Sequence, residues 1–179
     1  MLFKEEVYDN FVNDFASVLK EKTEGLKISK LIFLCIGTDR ITGDSLGPLV
    51  GYKLKEIFKD EENIEVIGAL DNIISMQNVI RIIDDINYTY EEPFLIAIDA
   101  ALSSKSNIGK IIVSKDKMNI GCGLGKRNIY VGDISIKGIV SRDLRNPRYN
   151  FKVLQNTSLS LIMNMADIVA YGIFNVINV

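Results

Sequence analysis

Hydrophobic positions along this chain follow two different rhythms. Val7, Tyr8, Phe11, Val12, Phe15, Val18 and Leu19 recur at helical spacing, so an amphipathic helix is predicted over residues 4–21. Residues 31–36 and 94–98 are instead continuous apolar runs of β-prone side chains, the pattern of strands covered on both faces. Asn63 to Ala69, Gly109 to Ser114 and Ile129 to Ile136 read as three further strands, and Glu91-Glu92-Pro93 marks the turn into the strand that ends at Asp99.

Helices are predicted between these strands. Asp44 or Ser45 stands where an N-cap belongs, with Pro48 in the first turn of a helix running to about Phe58. Ser75 is read as the cap of a second, with Met76, Val79, Ile80, Ile83 and Ile86 on its apolar face. Residues 121–127 are too glycine-rich for regular structure, and residues 141–151 read as a polar, arginine-bearing loop. Asn156-Thr157-Ser158 then leads into a final helix from Leu159, with Asn156 and Thr157 as its expected caps. Strands alternating with helices predict a single α/β domain over residues 1–179, a three-layer α/β/α sandwich with residues 1–25 packing on its core.

Composition narrows the chemistry. At 179 residues, 47% hydrophobic and 25% charged, the chain can bury a sizeable core, and its net charge of −2 offers no general attraction to nucleic acid or anionic lipid. The amino terminus reaches charge at once and shows no signal peptide. The apolar stretch from Leu159 is interrupted by Asn164, Asp167 and Asn175, so a buried helix is expected rather than a membrane span. Two cysteines make no disulfide framework, and a cytoplasmic setting is expected. Histidine is absent altogether, which excludes Ser-His-Asp and Cys-His catalysis and removes the commonest transition-metal ligand. No metal or other cofactor is expected.

Candidate chemistry therefore falls to carboxylates. Ligands of open α/β sheets bind outside the carboxyl ends of the strands, near a topological switch point, and Asp44 and Asp99 each follow a buried strand. Facing one cleft, two carboxylates cannot both ionise easily, so one keeps a proton as acid while the other activates water. Each also has a structural reading, Asp44 as a helix cap and Asp99 as an acceptor at a strand end. Asp39, Arg40, Thr42 and Ser45, with the open backbone of Gly121, Gly123 and Gly125, form the candidate substrate-binding set. Asp39 beside Arg40 suggests an ion pair. Cys122 has no accompanying base, and Arg142, Arg145 and Arg148 are read either as a solvated loop or as a grip on an acidic segment. The glycine loop precedes a strand and the first motif lacks a lysine, so neither is a nucleotide-binding fingerprint.

The run Gly37-Thr38-Asp39-Arg40-Ile41-Thr42-Gly43-Asp44-Ser45-Leu46-Gly47-Pro48-Leu49-Val50-Gly51, followed by Ile98-Asp99-Ala100, the loop Gly121-Cys122-Gly123-Leu124-Gly125, Gly138-Ile139-Val140 and Val153-Leu154-Gln155-Asn156-Thr157, resembles the YyaC family of sporulation proteins. The resemblance spans roughly residues 30–172. That family is similar to the germination protease of spores and, more distantly, to hydrogenase maturation proteases. It implies a phosphorylase/hydrolase-like fold with a mixed sheet of five strands in the order 2-1-3-5-4, strand 4 antiparallel. It also implies proteolytic aspartates at Asp44 and Asp99. Hydrogenase maturation proteases hold nickel with an acidic pair plus a histidine; this chain has the acids and no histidine.

Two functions follow as expectations. One is an aspartate-dependent endopeptidase acting on a protein or peptide in the cytoplasm of the sporulating cell. The other is a non-catalytic member of the fold that binds a peptide or protein in the same cleft. Neither involves nucleic acid or membrane. The final helix, apolar around most of its circumference, suggests a homodimer unless the amino-terminal helix covers it.

Overall fold

A computed structural model describes residues 2–120 and 129–178. The amino-terminal helix α1 spans Leu2–Thr23 and leads into β1, Lys30–Cys35. A short 3-10 turn, Thr42–Asp44, precedes α2, Leu46–Ile57. Then come β2 (Ile64–Ile67), α3 (Val79–Thr89) and β3 (Pro93–Ser103), followed by β4 (Ile111–Ser114) and the short strands β5 (Met118–Ile120) and β6 (Ile129–Val131). The chain closes with β7 (Ile134–Arg142), α4 (Pro147–Gln155) and α5 (Leu159–Ile177).

The main sheet has five strands in the order β2-β1-β3-β7-β4. Its pairs are parallel except for β4, which runs antiparallel to β7. With β7 counted as the fifth predicted strand, this is the 2-1-3-5-4 order the resemblance implied. Alternation along the strands builds two cores. Phe33, Cys35, Ile96, Ile98, Ile134 and Ile136 pack with Phe11 and Phe15 of α1, Val50 and Leu54 of α2, and Met165, Val169 and Ile173 of α5. On the other face Ile32, Leu34, Leu95 and Ala97 meet Val79 and Ile86 of α3 and Met118, Ile120 and Val131 of the β5–β6 ribbon. The result is a three-layer α/β/α sandwich. Both faces are covered, so the central strands are apolar throughout. The helix α5 is long and apolar enough to cross a membrane, yet Ile162, Met165, Ala166, Val169, Ala170 and Ile173 are buried in this core.

Several local expectations give way to tertiary structure. β3 does not stop at Asp99 but runs to Ser103, because β7 continues to pair with it through a register shift at Ala101/Leu102. The predicted strand 129–136 is two elements: at Asp133 the chain changes partner, its backbone N–H donating to Leu95 O at 2.7 Å and its carboxylate accepting from Leu95 N at 2.9 Å. α3 begins at Val79 rather than after Ser75, and Ile80 is exposed on its outer face. Residues 141–151 are not a loop throughout, since β7 extends to Arg142 and α4 starts at Pro147. Asn156 and Thr157 finish α4 instead of capping α5: their side chains donate to the carbonyls of Lys152 and Val153 at 2.7 and 2.8 Å.

Candidate active site

The first strand delivers its carboxylate through a tightly closed loop. Ile36 N–H bonds to Ile98 O at 2.8 Å, and Gly37 N–H to Ile74 O at 2.8 Å. Gly37 has φ +143°, and a Cβ there would collide with the Asp44 carbonyl, so only glycine closes the loop. Thr38 N–H then bonds to that same carbonyl at 2.9 Å. Asp44 is the last residue of the 3-10 turn, not the cap of α2. The cap position belongs to Ser45, whose hydroxyl is spent on Thr42 O at 2.8 Å and makes no capping bond. At Gly43 the turn lies against α4, where a Cβ would come within 2.7 Å of Thr157 Oγ1 and 2.8 Å of Leu154 O.

The second carboxylate rises from the neighbouring strand. Asp99 lies on β3 with Lys137 of β7 as its register partner. Side chains at paired positions share a sheet face, here the α3 face that also carries Leu95 and Ala97. Asp99 Oδ1 accepts a hydrogen bond from Ala100 N at 2.7 Å. Desolvation pushes its carboxyl well above the usual range and the negative charge of Asp44 pushes further, against the smaller pull of the Ala100 N–H and of Lys137.

Asp44 and Asp99 line one cleft of about 510 Å³ over the carboxyl ends of β1 and β3. Its walls include Asp39, Arg40, Ile36 and Ile41 from the first loop, Ile73, Ser75, Met76, Gln77 and Asn78 ahead of α3, Ile120 of β5 and Phe151 of α4. Asn78 organises the second wall, accepting from Ser75 N at 2.8 Å and donating to Ile73 O at 2.9 Å. Thr42 and Ser45 are not part of the lining, and Ser45 is buried in its own turn. Among the described residues no ion pair joins Asp39 to Arg40; Arg40 N–H donates to Thr38 Oγ1 at 3.3 Å. Gly121, Cys122, Gly123 and Gly125 lie outside the described residues.

Sequence reasoning missed Lys137, Phe151 and the wall from Ile73 to Asn78. Lys137 carried a legible signal, as the one charge within the apolar stretch Ile134–Val140. The wall carried none, because it reaches the cleft only through the parallel bridge between Ile36 and Ile74. Cys35, in the core beneath the cleft, is an inert thiol whose pKa burial drives far up despite the opposing charge of Lys55.

Residues 3–172 match the model of a family described as a protein of unknown function, DUF1256. The chain belongs to the DUF1256 family. It is 40% identical over 143 residues to the uncharacterized protein YyaC of Bacillus subtilis (strain 168), a match that covers 80% of this chain and 67% of that protein. The resemblance to YyaC read from the motifs therefore holds over most of the chain. Among solved structures, this DUF1256 chain is similar in fold to the [NiFe] hydrogenase maturation protease HycI of Thermococcus kodakarensis KOD1. The TM-score is 0.50 at 15% identity, covering 88% of this chain and 99% of HycI. The two chains thus share a fold. The chain has no histidine, and no group of three potential metal ligands gathers among the described residues.

Proposed function

We propose that this DUF1256 protein is a peptidase that hydrolyses a peptide bond of a protein substrate with Asp44 and Asp99, acting in the cytoplasm during sporulation. The observation that carries this reading is the convergence of Asp44 and Asp99 on one cleft, close enough that the charge of one raises the pKa of the other. A carboxyl that retains its proton beside a second carboxyl suits acid–base catalysis without a metal. The protease fold of HycI and the similarity to YyaC agree with it.

In this mechanism Asp99 enters the cycle protonated and Asp44 ionised. Asp44 takes a proton from water as the oxygen attacks the scissile carbonyl carbon, while Asp99 donates its proton to the carbonyl oxygen. The tetrahedral diol then collapses. Its hydroxyl proton returns to Asp99, the proton held by Asp44 passes to the amide nitrogen, and the C–N bond breaks, which restores both carboxyls. Gly121, Gly123 and Gly125 follow Ile120 in sequence, and their unhindered N–H groups are proposed to hold the substrate main chain.

The test is a comparison of the proteins in sporulating cells that carry wild type or Asp99→Asn. One protein should persist uncut in the variant, and purified Asp99→Asn should cut it at least about 100-fold more slowly. Identical protein profiles in the two strains would end the peptidase reading. A protein captured intact by both forms would favour a binding role for the same cleft.

A further inference from the structure

Among the described residues, no ion pair engages the arginines around the cleft. The pairs present join Lys53 to Asp167, Lys55 to Asp71, Lys59 to Glu56 and Lys115 to Glu21; none contains an arginine. Arg40 lines the cleft. Arg148 sits one helical turn before the cleft residue Phe151, on the same side of α4. Arg142 ends β7, paired with Ser103 at the carboxyl edge of the sheet, where the cleft also lies. All three are exposed.

Their support is built. Asp143, next to Arg142 in sequence, turns to its own loop, accepting from Arg145 N at 2.7 Å and from Asn150 Nδ2 at 2.9 Å. Asn150 is only 3% exposed and accepts in turn from Leu144 N at 2.8 Å. Arg145 is held at φ +54°, and Asn146 caps α4 through Arg148 N and Tyr149 N. Hydrogen bonds around the buried Asn150 thus fix a segment that presents Arg142 and Arg148 to solvent, on a chain of net charge −2.

With its location resting on the peptidase reading of the cleft, we infer that Arg40, Arg142 and Arg148 receive the carboxylates of an acidic polypeptide segment whose neighbouring apolar residue enters the cleft beside Ile41, Met76 and Phe151. A guanidinium matches a carboxylate with two parallel hydrogen bonds, which suits it to reading acidic segments. The apolar walls take the side chain that accompanies them. Asp39 and Asp44 repel acid from the cleft interior, so the acidic segment runs outward over β7 and α4 rather than along the floor.

Fluorescence anisotropy tests this with the full chain and three labelled peptides: a phenylalanine followed by glutamates, its glutamine isostere and its lysine counterpart. The glutamate peptide should bind about ten-fold more tightly than the glutamine isostere, weakening as salt rises. Arg40→Gln/Arg142→Gln/Arg148→Gln should erase the difference while keeping the wild-type Tm, Arg81→Gln on α3 should keep it, and Arg148→Glu should shift preference toward the lysine peptide. Equal binding of the glutamate and glutamine peptides, an unchanged triple variant, or tighter binding of duplex DNA than of the glutamate peptide would each overturn the inference. Selective binding of the glutamate peptide without cleavage of any substrate would support it while ending the peptidase reading. Cleavage with no preference for acidic segments would do the reverse.

Discussion

At the scale of single residues, the molecule keeps a carboxyl where ionising it is costly. Desolvation and the charge of Asp44 raise the pKa of Asp99, so the folded protein binds that proton more tightly than the unfolded chain does. Between the unfolded carboxyl's pKa of about 4 and the raised folded value, stability therefore falls as pH rises. Asp99→Asn removes the cost. Its Tm should exceed that of the wild type at neutral pH, and the advantage should vanish below about pH 4, where both states of the wild type are protonated. Thermal melts across this range check it. An Asp99→Asn variant less stable than wild type at neutral pH would mean that the carboxylate serves the fold through the Ala100 N–H. The position of Asp99 was readable from the apolar run before it. Its environment was not, since Lys137 and Asp44 reach it from 38 residues later and 55 residues earlier along the chain.

Among the elements, α4 has the most influence on the site for its length. It supplies Phe151 to the cleft, and Leu154 and the following Thr157 lie against Gly43, beside Asp44. Asn146 starts it, its side chain accepting from Arg148 N at 3.0 Å and Tyr149 N at 3.3 Å, with Pro147 in the first turn. Asn146→Ala should cost about 1 kcal/mol, seen as a lower urea midpoint at unchanged slope. Because Gly43 packs on this helix, substrate turnover should fall with it. The Asn-Pro start signal was present in the sequence, but of the nine residues of α4 only Asn150 and Leu154 are buried, too few to make a helical rhythm.

Across the whole molecule, α1 decides how much of α5 is left exposed. Phe11 and Phe15 of α1 are fully buried, and at Gly172 of α5 a Cβ would come within 2.6 Å of the Phe11 ring. The helix thus occupies much of the apolar surface that the sequence pattern offered to a second subunit. Met163, Tyr171 and Phe174 remain exposed on α5. Light scattering at micromolar concentration should give the mass of a monomer. A dimer mass that returns to monomer on Tyr171→Glu would instead place a subunit contact on that exposed strip.

Elements whose burial is uniform or strictly periodic were legible in the chain alone. Short apolar runs of β-prone residues, too short for a buried helix such as α5, specify central parallel strands, and an acid just past such a run falls at the carboxyl edge of the sheet. That was enough to place Asp44 and Asp99, and the longer motifs carried the strand order. Where β3 ends, how residues 129–142 divide between two sheets, and which walls close the cleft were settled by packing and strand pairing. Those outcomes depend on pairings such as Ser103 with Arg142 and Ile36 with Ile74, in which neither partner's own neighbours reveal the other. Hydrophobic patterning reports what each residue must avoid, namely water, but not which residue it will meet.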